Sequence, residues 1–153
     1  MTATATDSTG HPAGCEAGFV MDAPALLAYL RGDEGGAVVQ RVLQQCRDCE
    51  SRVDIAAWDL LETYAVSARE APSLLEELVS LVDQLPLYVH PVTQETAAAV
   101  AELVAAHPEV KPSQALALTL AGRNDSTLVT GDPELSPRPN CLYVGPRGGN
   151  PGG

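Results

Sequence analysis

Phe19-Val20-Met21-Asp22-Ala23-Pro24-Ala25-Leu26-Leu27 reads as a short apolar strand that ends on a carboxylate and turns directly into a helix. Pro24 suits a first helical turn, where its missing N–H would find no partner anyway. Gly32 supplies the stop. The same alternation recurs downstream. Residues 53–56 form a second strand and 57–69 a helix. Residues 87–90 form a third strand, and Thr93 then caps a long Ala/Val helix that ends near His107-Pro108. Further helices are expected at 37–49, at 74–85 after Pro72, and at 113–123. A fourth strand follows at 126–130, and residues 141–144 make a fifth at the sheet edge.

Short strands alternating with helices imply βαβ units, right-handed crossovers and a mainly parallel sheet of four to five strands with helices on its faces. The class is α/β, in three layers. In such folds ligands bind at the carboxyl ends of the strands. Asp22 and Asp132 stand at two such ends.

The 153 residues suffice for one domain. Hydrophobic residues are 45% of the chain and aromatic ones only 4%, so Ala, Leu and Val must build the core. Residues 1–18 and 146–153, rich in Thr, Ser, Gly and Pro, read as disordered tails around a domain at 19–145. The net charge of −11 argues against a nucleic-acid binder with a basic face. It leaves room for an enzyme that meets nucleic acid through metal ions, and it suits a basic protein partner. Residues 1–18 lack a targeting segment's apolar stretch, and no run approaches the ~20 apolar residues of a membrane helix.

Cys15, Cys46, Cys49 and Cys141 are too few for a disulfide scaffold. The Cys46-Arg-Asp-Cys49 pair lacks a second ligand pair, because His11, His90 and His107 are isolated. It also ends a helix, whereas a redox pair opens one. Reduced, inert thiols in a cytoplasmic protein are the expectation.

Three carboxylates carry the chemistry. Asp22 serves as a helix cap or as a ligand, and taken alone it does not decide between them. Asp132, in Gly131-Asp132-Pro133-Glu134, serves equally as a turn residue. Glu62 lies among Ile55, Trp58, Leu61, Ala65, Val66 and Ala68, so its helix is expected to be largely buried. The nearest base, Arg69, is seven positions on and too far for an i,i+4 pair. Buried carboxylates call for a cation. Clustered, they repel one another until a hard divalent ion such as Mg²⁺ joins them. That ion activates water and stabilises phosphoryl charge, which is phosphodiester hydrolysis without a side-chain nucleophile. No GxGxxG, Walker loop, GxSxG or paired helical His competes. A receiver-like signalling domain would need an Asp at a middle strand's end, where His90 stands. It would also need a lysine after a late strand, but Lys111 precedes a helix.

In this order and spacing, 20–27, 59–64 and 113–118 continuing through 127–134 resemble the PIN domain, specifically the VapC-type toxin ribonucleases of bacterial toxin–antitoxin pairs. The resemblance covers about residues 20–144. It implies a parallel sheet flanked by helices and an endoribonuclease using Mg²⁺ or Mn²⁺. It also implies a small antitoxin carrying basic residues, and a homodimer. Matched residue by residue, the catalytic and metal-binding acids are Asp22, Glu62 and Asp132. The third family acid falls on Gln114, and Pro24 stands where the family often has Ser or Thr. A carboxamide carries no charge and is a weaker ligand, which points alternatively to a catalytically impaired PIN module that binds protein or RNA. Ser113 and Glu134 are candidate auxiliaries, and Asp59, three residues before Glu62, either lends a carboxylate or faces solvent.

Overall fold

The structure, a computed structural model, describes Cys15 and residues 18–146. Most of both expected tails therefore lies outside the described residues. The strands are β1 Phe19–Met21, β2 Val53–Ala56, β3 Leu87–His90, β4 Thr127–Thr130 and β5 Cys141–Tyr143. The helices are α1 Ala23–Arg31, α2 Gly36–Asp48, α3 Ala57–Glu70, α4 Leu75–Asp83, α5 Gln94–Ala106 and α6 Pro112–Arg123.

All five strands are parallel, in the order β3-β2-β1-β4-β5. The chain lays β2 and β3 on one side of β1, then returns through α5 and α6 to lay β4 and β5 on the other. The strand order reverses between β1 and β4. Their carboxyl ends are thus the topological switch point, where the connections diverge and leave a crevice.

Neighbouring strand residues point to opposite faces, which sorts the core in two. Met21, Ile55 and Val129 pack with Leu26 of α1 and Val39 of α2. Val20 and Leu128 pack with Leu116 and Leu120 of α6. Both faces of β1 are covered, so it reads as an unbroken apolar run instead of an alternating one.

Helix ends follow local chemistry. Asp22 caps α1, and Gly32, at φ 69°, closes it with its N–H on Ala28 and Tyr29 carbonyls. The helix expected at 74–85 is split into a 3-10 turn, Pro72–Leu74, and α4, which stops at Asp83. Pro86 disfavours helical backbone at the residue before it, so the last turn does not form. Among the described residues no helix is long and apolar enough to cross a membrane.

The cysteine expectation needs correction. Cys49, the residue that closes α2, is disulfide-bonded to Cys15, with a Cα–Cα distance of 5.7 Å. Cys46 and Cys141 are free. The pairing joins positions 34 residues apart, and no local spacing pattern marks such a partner.

Candidate active site at the strand switch point

Asp22 is 4% exposed and accepts hydrogen bonds at both oxygens. Its Oδ1 receives the N–H of Ala25 at 3.0 Å and that of Gly131 at 3.2 Å. Its Oδ2 receives the Thr130 hydroxyl, which in turn accepts the Asp132 N–H at 3.0 Å. Asp22 is thus a helix cap and also the link between the ends of β1 and β4. Gly131 makes that link possible. A Cβ there would meet atoms of Pro24 at 2.7 to 2.8 Å, so only glycine lets the loop after β4 lie on α1. Pro24 and Gly131 therefore fit as a pair.

The buried carboxylate of α3 is Asp59, which is 3% exposed, so of its two expected placements the solvent-facing one is overturned. Its Oδ1 accepts the Ala23 N–H at 3.0 Å, while its Oδ2 is buried without a partner. Glu62, one turn on, is only half-buried, and its Oε1 accepts the indole N–H of exposed Trp58 at 2.9 Å. The helix around Glu62 is less buried than its apolar content suggested, because Trp58 and Leu61 point outward at 46% and 58% exposure. A signal for Asp59 existed in the row Asp59, Thr63, Ser67. These i,i+4 positions hold short side chains, and Thr63 and Ser67 bond back to the carbonyls of the preceding turn. Such a row lets a helix approach its neighbour closely, and it turns Asp59 inward.

Burial pushes the Asp59 carboxyl up to about 7, with Asp22 and Glu62 adding to the rise and the Ala23 N–H opposing it. Burial likewise pushes Asp22 up to about 6, opposed by its bonds from Thr130, Ala25 and Gly131, with Asp132 adding a smaller upward push. Among the described residues, none of Asp22, Asp59, Glu62 and Asp132 forms an ion pair.

Gln114 is buried at 6% exposure. Its Oε1 accepts the Lys111 N–H at 2.9 Å. Its Nε2 donates to Asp132 Oδ2 at 2.7 Å and to Glu134 Oε2 at 2.8 Å. A donor at one end and two carboxylates at the other fix the amide's orientation. The Lys111 ammonium stands 3.8 Å from Glu134 Oε1. Gln114 therefore offers the site hydrogens. Its one oxygen, the weak ligand considered from sequence, is taken by Lys111. Ser113 lines a neighbouring groove of about 720 Å³ between α3, α5 and α6, whose walls include Trp58, Glu62, Val92, Val100 and Leu116.

Asp22 and Asp132 thus meet at the switch point, Glu62 flanks them through Asp59, and Glu134 is drawn in by Gln114. Among the described residues, no three Asp, Glu, His or Cys side chains stand in cation-binding geometry as they are. The orphaned Asp59 oxygen beside Asp22 suits a hard cation, whereas the Gln114 amide hydrogens do not.

No protein-family model matches the chain, and no curated protein sequence matches it significantly. Among solved structures, it is similar to a chain of a toxin–antitoxin complex from Klebsiella pneumoniae. The TM-score is 0.60 at 15% identity, over 82% of this chain and 96% of that one. The likeness is one of fold, a parallel five-stranded α/β/α domain.

Proposed function

We propose that the chain is a divalent-metal-dependent endoribonuclease of the PIN, VapC-like kind, the toxin of a type II toxin–antitoxin pair. The observation that carries this reading is a pair of buried carboxylates, Asp22 and Asp59, at the switch point of the sheet without an ion-pair partner. Buried acids kept in that state call for a cation. A bound Mg²⁺ or Mn²⁺ would be held by Asp22 with Glu62 and Asp132 and would supply Lewis acidity and an activated water. The chain's own residues position and desolvate. Thr130, Ala25 and Gly131 orient Asp22, and the loop after β4 sets Asp132 beside it. RNA is the substrate in this reading, and the setting is cytoplasmic, which must accommodate the Cys15–Cys49 bond.

A net charge of −11 favours an antitoxin with basic residues. The toxin–antitoxin complex whose chain shares this fold supports an antitoxin as the partner. The apolar groove beside Glu62 would take the partner's apolar side chains. Exposed Leu74, Val79 and Leu81 around α4 offer a surface for a second copy, a homodimer.

Gln114 favours a second reading, a module that binds RNA or protein without cutting, since its amide already satisfies Asp132 and Glu134. Calorimetric titration of Mg²⁺ and Mn²⁺ into the wild type and Asp22→Asn, followed by RNA cleavage on gels, separates the two. Metal binding lost in Asp22→Asn, with cleavage by wild type, supports the ribonuclease. RNA binding without metal binding or cleavage supports the module.

A further inference from the structure

One buried polar atom at the acidic edge lacks a partner. Asp59 Oδ2 accepts no hydrogen bond, although the residue is 3% exposed. Its other oxygen is held by the Ala23 N–H, which sets the carboxylate against the residue following Asp22. Glu62 stands one turn further along α3. A carboxylate oxygen kept from water without a donor is unfavourable, and a fold tolerates it where something compensates. No Lys or Arg ion pair does so among the described residues.

At the other end of the edge the situation is reversed. Gln114 presents two N–H donors to Asp132 and Glu134, and the Lys111 backbone holds its oxygen away. A cation between those two carboxylates would meet the positive end of the amide dipole.

We infer that Asp59 supplies the carboxylate missing at position 114, pairing with Asp22 at the divalent-cation site, while Gln114 clamps Asp132 and Glu134 outside it. The inference rests on the cation-dependent reading above. It relocates the site from the β4 side of the switch point to the α3 side. Among the described residues, Asp59 Oδ2 is the buried carboxylate oxygen without a protein donor, so it is free for a hard ion that prefers oxygen. Asp22 supplies the neighbouring negative charge, already oriented by Thr130 and Gly131.

The test is Mn²⁺ binding, read by calorimetry and by the loss of the free-ion electron paramagnetic resonance signal, on the full chain. Asp59→Asn keeps the shape and an oxygen for the Ala23 N–H, and Asp59→Ser is the second variant if the first melts early in chelator. Both should weaken Mn²⁺ binding by about 10-fold or more. Gln114→Leu, which removes the clamp, should leave affinity within about threefold. If Asp59→Asn binds like wild type while Asp22→Asn does not bind, the assignment of Asp59 is overturned and the cation reading stands. If Gln114→Leu loses as much affinity as Asp59→Asn, the clamp role is overturned. Wild type that binds no Mn²⁺ at millimolar concentration overturns both.

Discussion

The two ends of the acidic edge carry similar residues and have opposite character. At the β1–α3 end, Asp22 and Asp59 are buried among backbone N–H groups and one hydroxyl, and an oxygen is left over. At the β4–α6 end, Asp132 and Glu134 share the amide of Gln114, and that network closes on Lys111. A count of acids would rate the two ends alike. One oxygen separates them, since Asp59 Oδ2 is buried without a donor whereas Asp132 and Glu134 each receive the Gln114 amide.

The largest expected effect breaks the first end. Asp22→Ala removes the α1 cap and leaves the Thr130 hydroxyl and Gly131 N–H without an acceptor, so denaturant unfolding should show a loss of about 3 kcal/mol. A loss under about 1 kcal/mol would mean that water reaches these donors and that this end is wetter than its burial implies. Next in size is Gly131→Ala. Its methyl would press on Pro24 at 2.7 to 2.8 Å. The expected cost is about 2 kcal/mol, in the range for forced overpacking, together with a displaced Asp132 loop seen as amide shifts in NMR spectra.

The contrast sharpens with pH. Asp22 and Asp59 titrate at about 6 and about 7 in the fold, against 3.8 for an unperturbed aspartate side chain. Folding therefore favours their protonated forms. That stabilisation is complete below about pH 4 and is lost as pH rises through about 7. In chelator, Asp59→Asn should melt roughly 5 °C above wild type at pH 8, and the two should converge near pH 4. No gap at pH 8 would show that Asp59 is compensated after all. The smallest effect tests the second end: Gln114→Leu should cost about 1 kcal/mol in chelator, because Asp132 and Glu134 retain partial access to water. A cost as large as that of Asp22→Ala would make the two ends equivalent.

Much of the fold is legible in the chain. All five strands and the helices around them follow from apolar runs punctuated by Gly, Pro and capping residues, and 53–56 and 87–90 match to the residue. The helix expected at 74–85 is too long because periodicity does not register the effect of Pro86. In the site, Asp22 and Asp132 are legible because strand ends are marked locally. Asp59 is legible only as one of two alternatives, lending a carboxylate or facing solvent, because burial of one helical face depends on what packs against it, and Glu62 sits in the more apolar neighbourhood by sequence alone. The Cys15–Cys49 pairing is hidden for a related reason, since the two partners lie 34 residues apart.

Sequence by itself determined the α/β class, the parallel sheet and the placing of carboxylates at strand ends. These depend on period, capping and chain direction, which are properties of neighbouring residues. Tertiary structure alone decided which carboxylates are short of donors. Gln114, Asp132 and Glu134 become one network, and Asp59 is stranded beside Asp22, only when segments far apart in the chain are brought together. Hydrogen bonds saturate and are directional, so whether a buried acid is satisfied is settled by its neighbours in space.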